Sequence, residues 1–306
     1  MFDSLKTVLI AHKKDDFEKA QILNNLSRLC AHAYLNKLDS GLYYADQAIL
    51  LSRKLSNQKT LADGYMNKAV NDIRKGEYTK ADSLLTIAAS IYTKIKSSAG
   101  MADNVLNRGL LNGVRGDFDA CEQLSRQSLQ LAEQSGDKNA MATAISYIGY
   151  AYMYRDKGGE AAGYFRKADS LYMLTRDDMR SAALRLDMAY NLMYHDSTAA
   201  AVSYLQKAEA YYIKDGNLKG LGEVYKQMGN IYENLNDYKG LVEANFKSLP
   251  IFEQTNNLEG KADCLIGIGS AMYHIEEYDN ALKYLKESMA LSKQIQQSEK
   301  GFNGIA

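Results

Sequence analysis

The sequence predicts an all-α solenoid built from seven helix-turn-helix repeats. Three observations predict this fold class. Small residues recur every 40 residues along the chain, and two further small positions follow each of them at fixed distances. A single proline in 306 residues leaves the helices almost uninterrupted. Larger apolar residues fill the intervening positions at helical spacing, so each helix pair has a face for its neighbour to cover.

The repeat is defined by one position in the first helix of each pair, called the anchor, which is glycine or alanine in six of the seven pairs. The anchors are Leu29, Ala69, Gly109, Gly149, Ala189, Gly229 and Gly269. Twelve residues later come Gly41, Ala81, Cys121, Ala161, Ala201, Leu241 and Ala281, which belong to the second helix. Two antiparallel helices approach closely only where small side chains meet. The pattern therefore predicts where the two helices of each pair cross.

We expect one domain over residues 1–306, with no linker. Residues 1–20 are predicted to form an N-terminal cap, in which Phe2 to Ala11 is amphipathic. Residues 298–306 are predicted to begin an eighth helix pair or to form a C-terminal cap. In the repeat anchored at Gly149, helices are expected over residues 138–155 and 160–175, with Asp156, Lys157, Gly158 and Gly159 in the turn.

Composition and motifs argue against catalysis, cofactors and nucleic acid. The formal net charge is zero, so no basic field attracts nucleic acid. No phosphate-binding glycine loop follows a predicted strand, and no Cys-x-x-Cys pair occurs. The three cysteines and four histidines are too far apart in the sequence for a disulfide framework or a metal motif; they are Cys30, Cys121, Cys264, His12, His32, His195 and His274. We therefore predict no enzyme, metal site, cofactor or membrane segment in this chain.

Two stretches resemble the tetratricopeptide repeat (TPR) family. They are Met228 to Tyr232 and Glu277 to Leu285, which carry the small and aromatic residues of that repeat at its spacing. The usual TPR period is 34, so a period of 40 suggests helices about one turn longer. The resemblance implies a right-handed α-α superhelix whose first helices line a concave, protein-binding face.

By this resemblance, the groove is lined by residues three before, and one, four and five after, each anchor. Repeats one to five then present a mostly apolar lining rich in tyrosine and methionine, which suits an apolar peptide or helix. The predicted centre consists of two matching steps, Tyr150, Met153 and Tyr154 in one repeat and Tyr190, Met193 and Tyr194 in the next. Further candidates are Leu110, Val114, Met66 and Val70, with Asn67 and Asn107 as amides for a peptide backbone. The alternative is that these side chains are ordinary core.

The opening Phe2 to Leu9, followed by Gln21 to Ser27, resembles TPR sensor regions of bacterial signalling proteins. Relatives of that kind carry a histidine kinase or a DNA-binding output domain, neither of which is present here. The resemblance implies the sensing part of a larger protein, which is periplasmic if the parent is a membrane kinase and otherwise cytoplasmic. A stand-alone scaffold that joins protein partners remains the alternative function.

Overall fold

The chain is helical throughout the residues that its computed structural model describes, which are 2–31, 37–194 and 198–303, with side chains up to residue 296. An N-terminal helix, α1 (Phe2–Ala11), precedes the pairs. The first helices of the pairs are α2 (Phe17–Cys30), α4 (Gln58–Lys75), α6 (Ser98–Val114), α8 (Lys138–Met153), α10 (Asp178–Met193), α12 (Leu218–Asn234) and α14 (Leu258–His274). The second helices are α3 (Leu38–Lys54), α5 (Tyr78–Lys94), α7 (Phe118–Ser135), α9 (Gly158–Leu174), α11 (Thr198–Asp215), α13 (Tyr238–Gln254) and α15 (Tyr278–Asn303). Within these segments there is no strand, and the predicted all-α fold of seven helix pairs is confirmed.

The turn before each of six first helices has the same construction. A polar N-cap residue accepts a hydrogen bond from a backbone N–H in the first turn, which satisfies a donor that the helix leaves unpaired. The six caps are Asn57, Ser97, Asp137, Asp177, Asn217 and Asn257. The residue before each cap has a positive φ, and these residues are Ser56, Lys96, Gly136, Arg176, Gly216 and Asn256. In each of these turns, a residue with positive φ ends one helix and the next residue caps the following helix, and this repeated pair gives the helices their regular spacing.

The turn inside the pair α8–α9 differs from the expectation. Asp156 takes the left-handed conformation, with φ 59°, and reverses the chain. Gly158 and Gly159 are instead the first residues of α9. Glycine is the usual residue at such a helix end, but Asp156, two residues before Gly158, holds the left-handed position of the repeat. The prediction that the two glycines form the turn was wrong.

The chain divides into two compact units, Met1–Arg176 and Asp177–Ala306. Unit 1 contains α1 to α9, and unit 2 contains α10 to α15. No change in composition or period marks residue 176, because the helix-pair pattern runs through it unchanged. A single continuous array over the whole chain stays a prediction.

Small residues set the distance between paired helices in each unit. In unit 1, Ala161 is fully buried, and a Cβ added to Gly149 would lie 2.6 Å from the Phe165 ring. In unit 2, a Cβ added to Gly269 would lie 2.7 Å from Leu285. The anchor positions therefore lie at the helix crossings, as their small size predicts.

At some junctions between successive pairs, an aromatic ring packs on a glycine. Buried Tyr92 of α5 lies against Gly100 of α6, where an added Cβ would be 2.3 Å from the ring. In unit 2, buried Tyr212 packs on Gly220 in the same way, at 2.6 Å. Filling such a gap with a ring buries a large apolar area, so the glycine serves the contact between pairs.

The two ends of the chain differ in how they finish. In unit 1, Leu9 of α1 packs against the buried cluster of α2 and α3, and Phe2 meets Tyr44 edge to face at 6.5 Å. In unit 2, α15 continues to Asn303 with no turn at residue 298. Gln296 stands where the earlier repeats carry their left-handed residue, so the stop signal is absent. An eighth pair or a C-terminal cap over 298–306 stays a prediction, and residues 304–306 lie outside the described part.

Two glycine-to-alanine changes in adjacent helices test the crossing. Gly149→Ala places a methyl group into the Phe165 ring, and overpacking costs about 1–3 kcal/mol. Gly163→Ala in α9 meets nothing within 4 Å and gains up to about 1 kcal/mol of helix propensity. Urea unfolding should give a lower free energy of unfolding for the first variant and a higher one for the second. Equal midpoints would show that Gly149 is not at the crossing.

Candidate functional site

The unit 1 part of the predicted groove lies at the end of α8. Tyr154 is 64 % exposed, and its ring stacks on Phe118 of α7, with centroids 5.3 Å apart and planes 11° apart. Tyr150 is half-buried, because its ring meets Phe165 edge to face at 5.1 Å. Met153 is also half-buried. Of the three residues, Tyr154 therefore presents the largest exposed fraction to a partner.

The unit 2 part lies at the end of α10. Tyr190 is 47 % exposed and Tyr194 is 64 % exposed. Their ring centroids are 4.9 Å apart with an interplanar angle of 58°, so one turn of helix carries two adjacent aromatic surfaces. Met193 is half-buried beside them in the sequence. This arrangement offers flat apolar area with hydroxyl groups, which is the chemistry of many protein-binding residues.

The candidates in the second and third repeats lie deeper in unit 1. Val114 is 45 % exposed at the end of α6. Leu110 packs against the buried cluster of α4 and α5, and Val70 and Asn107 are half-buried. These side chains contribute less accessible area than the tyrosines. They support the helices more than they extend the exposed surface.

Met66 and Asn67 lie differently from the expectation. Met66 packs between two core clusters, and its sulfur is 3.9 Å from the Tyr92 hydroxyl. Asn67 is buried, and its amide nitrogen donates to the backbone and side-chain oxygens of Asn24, at 3.2 and 3.3 Å. An amide used in this way inside unit 1 does not reach a peptide backbone. Asn67 therefore belongs to the packing of α4 on α2, and Met66 belongs to the packing of α4 on α5.

The position three residues before each anchor, which Met66 occupies in its repeat, is more buried than expected in several repeats. That position was expected to line the groove, but it is buried in Leu26, Leu106, Ser146 and Leu186. At Ile266 the same position is 48 % exposed, so the burial does not extend to every repeat. The sequence could have indicated this burial, because leucine and methionine dominate this position.

The charged residues near Tyr154 are paired within unit 1. Arg155 binds Asp119 at 2.6 Å and also binds Glu122. Glu122 accepts from Arg126 at 2.7 Å as well. Burial opposes ionisation of Glu122, but its hydrogen bonds to both arginines outweigh this effect and hold its pKa below the usual value. This network joins α7 to the end of α8.

The described residues contain no group of three or more histidine, cysteine or acidic side chains placed to hold a metal ion. His12 hydrogen-bonds Asp16 at 2.8 Å, and His274 stacks on Tyr238. His32 and His195 lie outside the described residues. Within the described part of the chain, no helix is long and apolar enough to span a membrane.

The three thiols are buried. Burial raises the pKa of Cys30 to about 11, and burial also raises the pKa of Cys121 and Cys264. The sulfur of Cys264 lies 2.8 Å from the Ser248 hydroxyl. A thiol is reactive as the thiolate, so these groups are poor nucleophiles in the folded chain.

The helix pairs and their small crossing residues define a TPR-like helical-repeat protein. A STAND protein (signal transduction ATPase with numerous domains) with a tetratricopeptide repeat sensor, from Pyrococcus horikoshii, superposes with a TM-score of 0.75 at 14 % identity. The match covers 90 % of this chain but 41 % of that protein, so this chain spans less than half its length. A Rap protein complexed with Competence and Sporulation Factor gives 0.62 at 13 % identity, over 96 % of this chain and 80 % of that one.

A Rap conjugation gene regulator of plasmid pLS20, in complex with a Phr peptide, also gives a TM-score of 0.62, at 15 % identity over 91 % of this chain and 76 % of that one. Such low identities show a shared fold and no more. No curated protein matches the sequence. Residues 134–298, more than half of the chain, match the family SNAP, soluble NSF attachment protein. The chain therefore belongs to that family.

A thiol titration tests whether the three cysteines are buried in the folded chain. Because Cys30, Cys121 and Cys264 are at most 4 % exposed, Ellman's reagent at pH 8 should label none of them within minutes in the folded chain. After unfolding in guanidinium chloride, all three should react. Rapid labelling of even one native thiol would contradict their burial.

Proposed function

We propose that this chain is a non-catalytic domain that binds a protein or peptide at the exposed ends of its first helices. The observation that carries the proposal is the exposure of Tyr154, Tyr190 and Tyr194, at 64, 47 and 64 %. Large aromatic side chains left in water are a common mark of an interaction surface. Each unit supplies its own exposed aromatic residues for this purpose.

The structural neighbours support the same class of function. One is named for a tetratricopeptide repeat sensor, and another was solved with a Phr peptide. We propose by analogy that this chain is the sensing or regulatory part of a larger bacterial signalling protein. In such a protein, a bound peptide or protein would change the output of another domain.

The family match favours a second candidate. The family is named for attachment to NSF, a task of joining one protein to another. An adaptor that holds two protein partners needs binding surfaces but no chemistry of its own. Under this alternative, the exposed tyrosines are one of its binding surfaces, and the chain acts without an output domain.

Substitution of the exposed tyrosines tests the proposal. Peptides are first selected by phage display on the intact chain, and their affinities are then measured for Tyr154→Ala and for the double variant Tyr190→Ala with Tyr194→Ala. Truncation of aromatic residues at the centre of an interface commonly costs about 2 kcal/mol or more, so each variant should bind roughly thirtyfold more weakly. Urea midpoints should fall only modestly, because Tyr154 and Tyr194 are 64 % exposed and Tyr154→Ala removes one surface stacking contact, with Phe118. Tyr150 is avoided, since its contact with Phe165 makes its loss a packing defect.

Tyr43→Ala provides a matched control. Tyr43 is 61 % exposed but belongs to α3, a second helix, so its loss should leave peptide affinity unchanged. Unchanged affinity in the first-helix variants would refute the proposed site. A loss of several kcal/mol in unfolding free energy would identify these tyrosines as core instead.

A further inference from the structure

Four second helices begin with an aromatic ring, and three of these rings are covered in the same way. Within unit 1, the Arg115 guanidinium lies over the Tyr78 ring at 5.7 Å, and Tyr154 stacks on Phe118 at 5.3 Å. Within unit 2, His274 stacks on Tyr238 at 4.2 Å, with the planes 8° apart. In each case the covering group comes from the end of the next first helix. The covered rings are half-buried.

Tyr278, the first residue of α15, is the fourth ring and lacks such a cover. It is 57 % exposed, and among the described residues its ring contact is with Tyr273, edge to face at 5.6 Å. Leu282, Leu285 and Met289 follow on the same helix face and are 53, 38 and 59 % exposed. The positions equivalent to Leu285 in α5 and α11, Leu85 and Leu205, are fully buried. In the part of the chain that the structure describes, the face of α15 therefore keeps the apolar residues of a helix contact but has no helix packed on it.

The turn beside Tyr278 carries unpaired negative charge. Among the described residues, Glu276 and Asp279 form no ion pair, and Glu277 accepts a hydrogen bond from the Asn280 amide at 2.7 Å. In unit 1, the residue equivalent to Glu277 is Glu77, which binds Lys80 at 3.1 Å. The acidic turn of α14–α15 is thus uncompensated, and it lies where Arg115 meets Tyr78 in unit 1. A positively charged group would complement the negative charge of this turn.

We propose that this face of unit 2, which we call the α15 face, binds an amphipathic helix of a partner protein with arginine or lysine at its C-terminal end. The α15 face consists of Tyr278, Leu282, Leu285 and Met289 with the acidic turn. The basic residue lies over Tyr278, held by cation–π attraction and by Glu276 and Glu277. The apolar side of the partner helix covers the leucines and Met289.

The orientation follows from the covered example in unit 1. Arg115 is the C-cap residue of α6, and Tyr78 is the first residue of α5, so the covering helix runs antiparallel to the helix it covers. A cation at the C-terminal end is also favoured by the dipole of the partner helix. This interaction surface is separate from the tyrosines at the ends of α8 and α10, and it does not depend on the function proposed for them.

A display library tests the specified partner. The library presents 18-residue amphipathic helices with the last four positions randomised, and it is selected on the full chain with Leu282→Glu as the counter-selection target. We expect arginine and lysine to be enriched at the C-terminal positions. The selected peptides should bind roughly tenfold more weakly to Tyr278→Leu, which keeps apolar area but removes the ring face. Glu276→Gln combined with Glu277→Gln should weaken binding and reduce its salt dependence.

Two controls separate this surface from others. Tyr43→Leu, at a tyrosine of similar exposure in unit 1, should leave binding unchanged, and so should Tyr190→Ala with Tyr194→Ala. Circular dichroism melts establish that each variant is folded. Absence of selected binders, no enrichment of basic residues, or full binding to Tyr278→Leu would overturn the proposal. Sedimentation of a dimer that Leu282→Glu converts to a monomer would also overturn it, because a second copy would then occupy the α15 face.

Discussion

The closeness of helix crossings is the constraint on which the structure of each unit depends. Two helices of a pair meet at a glycine or alanine, and at some junctions the next pair meets the last one at a ring on glycine, as Tyr92 does on Gly100. A methyl group at Gly149 would already overlap the Phe165 ring. Because the crossings exclude large side chains, bulky residues collect between crossings or at helix ends. The exposed tyrosines lie at such ends.

Position along the repeat thus decides whether an aromatic residue serves packing or binding. Tyr92 and Tyr212, in the middle of a contact between pairs, are fully buried. Tyr154 and Tyr194, beyond the last turn of their first helices, are 64 % exposed. Loss of the first kind destabilises the unit, whereas loss of the second kind removes contact area from a partner. The same residue type has two roles, and the repeat position separates them.

The sequence predicted the pairing of helices because the size of a side chain at a crossing is a local requirement that repeats. The TPR resemblance selected Tyr154, Tyr190 and Tyr194, which are exposed, together with Tyr150, which is half-buried against Phe165; their role in binding stays a prediction. The prediction failed at Met66 and Asn67, where the neighbouring helix decides burial and a pattern along one helix does not report it. It also failed at Gly158, since a left-handed aspartate already made the turn. The break between units at residue 176 depends on contacts rather than composition, so the sequence carried no sign of it.

The contact between consecutive pairs also explains how one surface of a repeat protein becomes available to a partner. Inside a unit, the following first helix packs on the second helix before it, and at α5, α7 and α13 it also covers an aromatic ring at the first residue of that second helix. The cover at Tyr78 is a cation, whereas at Phe118 and Tyr238 it is a second ring, so the position accepts groups that favour an aromatic face. At Tyr278 the ring and the apolar face remain, and the adjacent carboxylates add a preference for positive charge. Under our proposal, a partner helix with a basic residue would make the same kind of contact with Tyr278 that Arg115 makes with Tyr78.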